Sequence, residues 1–215
     1  MKNSLGSVLR AGLVVGLLFA GRVSDARAQY IALGAGGLFS QDQSEGPPAG
    51  IAAGPVRSSF GRSGLLAVDA GIGFLPFLGA GLHYSYASPE LILRRGDAFG
   101  SLAVTDLGAH TLTFDTRLRT PQLAGFRAYG LAGGGFTRFS VQVKQTVEQP
   151  FPEGEPDNVI SPVFTVGGGI ERSVAPLLHL KFEVRDYLTP ISRDFFSPGG
   201  AWHRFAVIGG IVLGR

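Results

Sequence analysis

Ionisable and apolar side chains alternate in the stretch HLKFEVRD, residues 179–186. The alternating ionisable members are His179, Lys181, Glu183 and Arg185, and Asp186 follows directly after them. They carry imidazole, ammonium, carboxylate and guanidinium groups, which serve in acid–base catalysis, metal binding and ion pairing. Successive side chains of a β-strand point to opposite faces, so this spacing places all four ionisable groups on one face of a strand and the apolar groups on the other.

A second candidate is the sequence His83-Tyr84-Ser85. A period of two places His83 and Ser85 on one strand face, where the imidazole could activate the hydroxyl as a nucleophile if a carboxylate oriented the ring. Glu90 is the nearest acid in sequence. The His-x-Ser spacing resembles that of PagL-type lipid A deacylases, but Tyr86 follows the serine where that family has an asparagine. We therefore retain a hydrolase only as a remote alternative and expect no enzyme activity.

The strands that position these residues are predicted from the alternation of apolar with small or polar side chains. Eight segments show it, at about 30–40, 64–74, 77–87, 106–118, 125–144, 159–172, 176–188 and 203–214. Short links follow the second, fourth and sixth segments, and long polar links follow the first, third, fifth and seventh. This pattern predicts an all-β fold, an eight-stranded antiparallel up-and-down transmembrane β-barrel.

The charged face of each strand is predicted to line the barrel interior. A Lys or Arg that faces lipid near the membrane midplane costs about 2–4 kcal/mol, so several together would consume much of a folding stability of about 5–15 kcal/mol. An eight-stranded barrel is just wide enough to be filled by side chains. We expect an occluded lumen with a network of Asp69, Asp115, Arg117, Arg138, Glu171, His179, Lys181, Glu183, Arg185 and Arg204. The alternative is a narrow channel or transporter for small or hydrophobic molecules.

Finer expectations concern orientation and register. On the fifth segment, the pattern turns Tyr129 and Leu131 outward and Arg138 inward. A tight link after Arg172 would place Gly169 beside His179, where the missing side chain leaves room for a long one.

A soluble lipocalin-like barrel or β-sandwich would have the opposite arrangement, with apolar side chains inside and polar side chains outside. Four aromatic residues fall toward the long-link ends of their segments, namely Tyr84, Tyr86, Phe139 and Tyr187. Such a position is typical of the aromatic girdle of a membrane barrel, which favours the membrane interpretation.

The first 28 residues have the features of a cleavable signal peptide. Lys2 and Arg10 precede an apolar run from residue 11 to about 21, and Ala26-Arg27-Ala28 supplies a small-x-small site. We predict cleavage between Ala28 and Gln29, which leaves residues 29–215 as one barrel domain. Four of the nineteen basic residues and one of the sixteen acidic residues lie in this peptide, so the mature chain is formally neutral and has no basic stripe for nucleic acid.

Cysteine is absent from the sequence, which excludes disulfides, thiol nucleophiles and lipid attachment to an N-terminal cysteine. His179 and Glu171 supply only two metal ligands, fewer than a protein metal site uses. We predict neither a metal nor a cofactor.

The signal peptide, the eight alternating segments and the asymmetric links together resemble the small bacterial outer-membrane β-barrel proteins of the OmpA transmembrane domain, OmpX and OmpW superfamily. The resemblance implies a location in the bacterial outer membrane and a structural or surface-interacting role. It also implies contact with outer-membrane lipids and lipopolysaccharide, insertion by the barrel-assembly machinery, and a possible extracellular ligand on the long loops. The chain departs from many such sequences by ending on Arg215 instead of an aromatic residue.

Overall fold

Long antiparallel strands form wherever the sequence alternates. The computed structural model describes residues 29–40, 43–45, 56–95, 99–143, 158–190 and 201–214, so the predicted signal peptide lies outside the described residues. The strands are β1 (Gln29–Ser40), β2 (Gln43–Glu45), β3 (Val56–Phe60), β4 (Ser63–Gly73), β5 (Leu78–Ala87), β6 (Glu90–Arg95), β7 (Phe99–Arg119), β8 (Phe126–Val143), β9 (Asn158–Ala175), β10 (Leu178–Pro190) and β11 (Ala201–Gly214). Among the described residues, no helix has the length and apolar character needed to cross a bilayer.

Eight of these strands close into an antiparallel barrel in the order β1, β4, β5, β7, β8, β9, β10, β11. The pairing of β1 with β11 closes the ring, which confirms the predicted eight-stranded fold. Short turns at residues 74–77, 120–125 and 176–177 lie at one end together with Gln29 and Gly214. The turn at 120–125 contains Ala124 and Gly125 at φ of 50° and 83°, a left-handed backbone that glycine adopts without strain.

The remaining three strands extend the sheet beyond the barrel at the opposite end. β6 pairs with the first part of β7, β3 pairs with β6, and β2 pairs with β3. The sequence analysis places β2, β3 and β6 within the predicted long links. Their strands were not recognised because strands that pair outside a membrane need no apolar face, so hydrophobicity need not alternate along them.

The interior of the barrel is polar and its outer wall is apolar. Asp69, Glu183 and Arg185 are fully buried, whereas Phe114 and Phe164 are 57% and 59% exposed. A water-soluble barrel requires the reverse distribution, so the lipocalin-like alternative is excluded. The predicted inward orientation of the charged strand faces is confirmed for β4, β7 and β10.

The predicted orientation of β8 is wrong. Tyr129, Leu131 and Thr137 are buried inside the barrel, while Arg138 lies on the outer wall and does not belong to the lumen network. Glycine and alanine occupy both faces along much of this strand, so the alternation of hydrophobicity carried little information about its direction. Pairing with β7 and β9 sets it instead.

The aromatic girdle prediction holds for two of its four residues. Tyr84 and Tyr86 lie on the outer wall of β5, on the face opposite to the buried His83 and Ser85. Tyr187 is 1% exposed and points into the lumen. Phe139 shares the inward face of β8 and packs on the buried Arg204. The position of an aromatic residue along a strand indicates its depth in the membrane. Whether its side chain faces lipid or the lumen depends on which of the two strand faces it occupies.

Candidate functional site

Six charged side chains form a cluster across the middle of the lumen, hereafter the ionic cluster. Its members are Asp69 of β4, Asp115 and Arg117 of β7, and Lys181, Glu183 and Arg185 of β10. Each is at most 3% exposed. Three carboxylates therefore meet three cations, and the formal charges balance.

Asp69 is the central acceptor of the ionic cluster. Its Oδ1 accepts hydrogen bonds from Nη2 of Arg117 at 2.8 Å and Nη2 of Arg185 at 3.1 Å. Its Oδ2 accepts from Nζ of Lys181 at 2.6 Å. Charge-assisted bonds of this kind are stronger than neutral ones, and together they offset the cost of burying the carboxylate.

Glu183 and Asp115 complete the set around Arg185. The guanidinium of Arg185 donates through Nε to Oε1 of Glu183 and through Nη1 to Oδ2 of Asp115, the latter at 2.5 Å. Oε2 of Glu183 lies 3.6 Å from Nζ of Lys181 and 3.8 Å from Nη2 of Arg117. Arg185 thus connects all three carboxylates, since it also contacts Asp69.

Two features of the strands produce this geometry: the alternation of inward and outward side chains along β10, and the glycines paired with it on β9. β10 places its three cluster members at successive inward positions. Opposite them on β9, Gly169 pairs with Glu183 and Gly167 pairs with Arg185. The predicted register, with Gly169 beside His179, is wrong because both strands continue to a two-residue turn at 176–177. The glycines nevertheless make room for long side chains, as expected.

Two tyrosines that the sequence prediction missed line the short-turn side of the ionic cluster. The Arg117 guanidinium lies 4.9 Å from the ring centroid of Tyr30 and 5.3 Å from that of Tyr129. The hydroxyl of Tyr129 donates to Oε2 of Glu183 at 2.5 Å. Tyr129 was assigned to the wrong face with the rest of β8, and Tyr30 lies on β1, where the alternation is weakest.

The hydrolase candidate residues belong to a buried hydrogen-bonded chain. His83 Nδ1 lies 2.8 Å from Oδ1 of Asp69, and its Nε2 lies 2.7 Å from the hydroxyl of Tyr187. Ser85 Oγ contacts the same hydroxyl at 3.3 Å. The Tyr187 hydroxyl therefore lies between His83, the candidate base, and Ser85, the candidate nucleophile. The strand parity of Tyr187, which matches that of Arg185, could have identified it as an inward residue.

The carboxylate that orients His83 is Asp69, from the neighbouring strand, and not Glu90. Glu90 begins β6 in the extension, and its side chain lies outside the described part of the structure. His83 is fully buried and Ser85 is 3% exposed. A catalytic serine needs contact with substrate, which this enclosure does not provide.

Asp69, His83 and Glu183 each bring one potential metal-ligand atom to within 4.8 Å of the others. The Asp69 carboxylate, however, already accepts from Lys181 and Arg117, and Glu183 accepts from Arg185. A divalent ion would have to displace these cations and would sit beside their charges. The donor set fits ion pairing better than metal coordination.

Arg204 points inward as predicted but stands apart from the ionic cluster. Its Nη2 donates to Thr137 Oγ1 at 2.9 Å and to Thr189 Oγ1 at 3.1 Å. Its guanidinium lies within 6 Å of the ring centroids of Phe139, Tyr187 and Trp202. Its hydrogen bonds and ring contacts go to hydroxyls and aromatic faces, and the carboxylate of Asp186 acts on its charge without a hydrogen bond among the described residues.

Two further residues of the predicted lumen network, Glu171 and His179, lie toward the short turn at 176–177. Glu171 is 8% exposed and pairs in register with Lys181. His179 is half-buried beside Ser173. Both residues occupy inward positions on their strands, so only Arg138 of the ten predicted network residues faces lipid.

An apolar layer covers the ionic cluster on its long-loop side. Leu38, Leu65, Val163 and Ile208 pack together with Tyr187 inside the barrel, each at most 3% exposed. The lumen therefore contains a charged layer and an apolar layer in series along its axis. An ion entering the lumen would meet both.

Structural comparison identifies barrels of similar architecture. Neisserial surface protein A matches with a TM-score of 0.56 and 13% identity, over 86% of this chain and 96% of that protein. The outer membrane protein OprG from Pseudomonas aeruginosa matches with a TM-score of 0.58 and 12% identity, over 87% of this chain and 95% of that protein. No protein-family model and no curated protein sequence matches the chain. At these identities the likeness establishes the fold, which is that of the small bacterial outer-membrane barrels.

Proposed function

We propose that this protein is an outer-membrane barrel with a structural or surface-interacting role and an occluded lumen. The observation that carries the proposal is the charge-balanced ionic cluster, whose six members are each at most 3% exposed. An aqueous pore would require polar side chains in contact with water along its whole length. The apolar outer wall and the comparison with outer-membrane barrels support the location.

Energetics favour a closed lumen over a gated one. Removing one partner of a buried ion pair typically costs about 3–5 kcal/mol, and Arg185 alone contacts three carboxylates. A conducting state would have to separate several such contacts together and also hydrate the apolar layer around Leu38 and Ile208. The cluster therefore stabilises the barrel and closes it at the same time.

The surface role is assigned to the extension of β2, β3, β6 and the first part of β7. These strands continue the sheet beyond the end of the barrel opposite to the chain termini. With the termini in the periplasm, the extension and the long loops face outward, toward lipopolysaccharide and any extracellular ligand. In this proposal residues 1–28 direct export of the chain, and the barrel-assembly machinery inserts the barrel into the outer membrane.

The barrel is proposed to have no enzyme activity. His83 and Ser85 both face the lumen, where the Tyr187 hydroxyl separates them. Lipid A incubated with the refolded protein should keep all its acyl chains, in the wild type and in Ser85→Ala alike. Deacylation by the wild type that disappears in Ser85→Ala would establish the hydrolase alternative.

Conductance of the refolded protein in planar bilayers tests the occluded lumen directly. We expect no stable single-channel steps from the wild type. The variant Lys181→Ala/Glu183→Ala, which remains charge-balanced but loses bulk, should also give no stable steps, because the apolar layer around Leu38 and Ile208 still closes the lumen. Stable steps from the wild type that change when Lys181 or Glu183 is neutralised would overturn the proposal in favour of the narrow channel.

A further inference from the structure

Polar side chains form a row on the outer wall of the barrel, most of whose large exposed side chains are apolar. Tyr86 of β5, His110 of β7 and Arg138 of β8 pair directly in register across the three neighbouring strands. Their chain neighbours Ala87, Ala109 and Thr137 are buried in the lumen, so the row itself faces outward. An outward Arg costs about 2–4 kcal/mol near the membrane midplane and about 0–1 kcal/mol near the interfaces, so the depth of the row decides what Arg138 costs.

The depth of the row places it near the membrane boundary. β5 begins at Leu78 beside a short turn and reaches Tyr86 eight residues later. With a rise of about 3.3 Å per residue and a strand tilt of about 40°, this distance corresponds to about 20 Å along the barrel axis. The apolar band of such barrels is about 25 Å tall. The row therefore lies where acyl chains give way to lipid headgroups on the long-loop side.

A cavity of about 440 Å³ opens in the wall at this level. Arg138 and Ser140 line it on the long-loop side, and Leu112 and Phe136 line it one residue pair closer to the membrane centre. Gly108 lies opposite Ser140 and contributes no side chain. The cavity thus has a polar upper part and an apolar lower part, as the head and chain of a lipid would require.

His110 is held in place by the two tyrosines of β5. Its Nδ1 lies 2.8 Å from the hydroxyl of Tyr84, and its ring centroid lies 4.8 Å from that of Tyr86. Two hydrogen-bonding side chains and a guanidinium therefore border one cavity with fixed geometry. Arginine binds phosphate oxygens through parallel N–H donors, and hydroxyl and imidazole groups add further donors.

We propose that this cavity binds the phosphate group of an anionic lipid in the surrounding leaflet, with an acyl chain lying along Leu112 and Phe136. Arg138 supplies the countercharge, the hydrogen-bonded pair of His110 and Tyr84 keeps one N–H or O–H donor for the phosphate, and the Ser140 hydroxyl supplies another. The inference uses the membrane location in the proposed function, since it requires the outer wall to face lipid, but it does not depend on whether the lumen is closed.

Native mass spectrometry of the refolded full-length barrel in neutral detergent, titrated with lipid A, tests the site. We expect one lipid A molecule to bind per barrel and Arg138→Leu to weaken that binding by about tenfold or more, the loss of one charge-assisted contact. Arg172→Leu is the matched control, because Arg172 is another exposed arginine, on the β9 face that points to lipid, at the short-turn end. It should bind lipid A as the wild type does.

Free phosphate and a second lipid distinguish the possible sources of the ligand. Inorganic phosphate at millimolar concentration should not displace lipid A, because it lacks the acyl chains that contact Phe136. Phosphatidylglycerol should compete with lipid A for the cavity, since it carries both a phosphate group and acyl chains. Equal binding of lipid A by Arg138→Leu and the wild type, or displacement by phosphate alone, would overturn the proposal. Unfolded Arg138→Leu is detected by loss of heat-modifiable gel migration, and Arg138→Gln then replaces it.

Discussion

Asp69 shows how a single buried carboxylate can organise the interior of a barrel. Arg117, Lys181 and Arg185 reach it from two other strands, and His83 reaches it from the adjacent one. Each cation compensates the charge, and each hydrogen bond occupies a lone pair that burial removes from water. Neutrality of the whole cluster, and not any single pair, makes the arrangement stable.

Neutralising an opposite-charge pair of the cluster should therefore destabilise the barrel by less than the two single neutralisations added together. Glu183→Gln leaves the three cations facing two carboxylates, and we expect the free energy of unfolding to fall by about 3–5 kcal/mol. The double variant Glu183→Gln/Lys181→Met restores the balance and should lose less than the sum of the two single variants. Urea unfolding in lipid vesicles measures all three. Additive losses would contradict a coupled cluster.

At the level of the strand, β8 demonstrates that neighbours determine orientation where the sequence is ambiguous. Its inward face carries Tyr129, Leu131 and Thr137, and its outward face carries Ala132 and Arg138. Small residues on the outer side expose backbone to lipid without penalty because the ladder satisfies the hydrogen bonds. Large residues on the inner side fill the lumen between Arg117 and Arg204.

Tryptophan substitutions at adjacent positions of β8 test this orientation. In a Trp202→Phe background, which removes the native tryptophan, Ala132→Trp should fold and its fluorescence should be quenched by brominated lipids. Leu131→Trp should lose about 1–3 kcal/mol of stability, because it adds volume to a filled interior. The reverse pattern, with residue 131 quenched and residue 132 disruptive, would show that the strand faces the other way.

The glycines of β9 provide a second test at this level. A Cβ atom added to Gly169 would lie 2.7 Å from the hydroxyl of Tyr129 and would also meet the backbone of Phe182. Gly169→Ala should therefore lower the free energy of unfolding by about 1–3 kcal/mol. Gly209→Ala is the control, because no atom lies within 4 Å of its added Cβ. Equal urea midpoints for the two variants would contradict the close packing of Tyr129 against Gly169.

On the scale of the whole molecule, the distribution of polarity is inverted relative to a water-soluble protein. Large apolar side chains cover the outer wall, and charged ones fill the centre. Backbone hydrogen bonds are closed in a ring, which removes the edges that lipid could not satisfy. The long-loop end departs from this closure, because β2, β3 and β6 extend the sheet there beyond the barrel.

Export and processing are predicted for the intact chain. Protein isolated from the outer-membrane fraction should begin at Gln29, because small residues at 26 and 28 suit cleavage after Ala28. Ala28→Arg should block that cleavage and leave the precursor uncut. N-terminal sequencing and intact mass measure both. A wild-type protein that retains residues 1–28 would show that the segment is an anchor and not a cleaved signal.

Several elements could be predicted because their evidence is local. The alternation in β10 places Lys181, Glu183 and Arg185 on one face, and the cost of a charge in lipid then directs that face inward. The same argument identifies Asp69, Asp115 and Arg117 on strands far away in sequence. It was wrong for Arg138, because a single charge near the membrane boundary costs only about 0–1 kcal/mol and can face outward.

The sequence by itself determined the fold class and the inward face of the charged strands, since strand period and the penalty for charge in lipid depend only on neighbouring residues. The tertiary structure alone decided which charges meet. Asp69 lies 112 residues from Lys181 in the chain, and their contact depends on the register of every strand between them around the ring. Closure of the barrel also separated Arg204 from the ionic cluster and placed the Tyr187 hydroxyl between His83 and Ser85. Both arrangements depend on cross-strand distances that alternation does not encode.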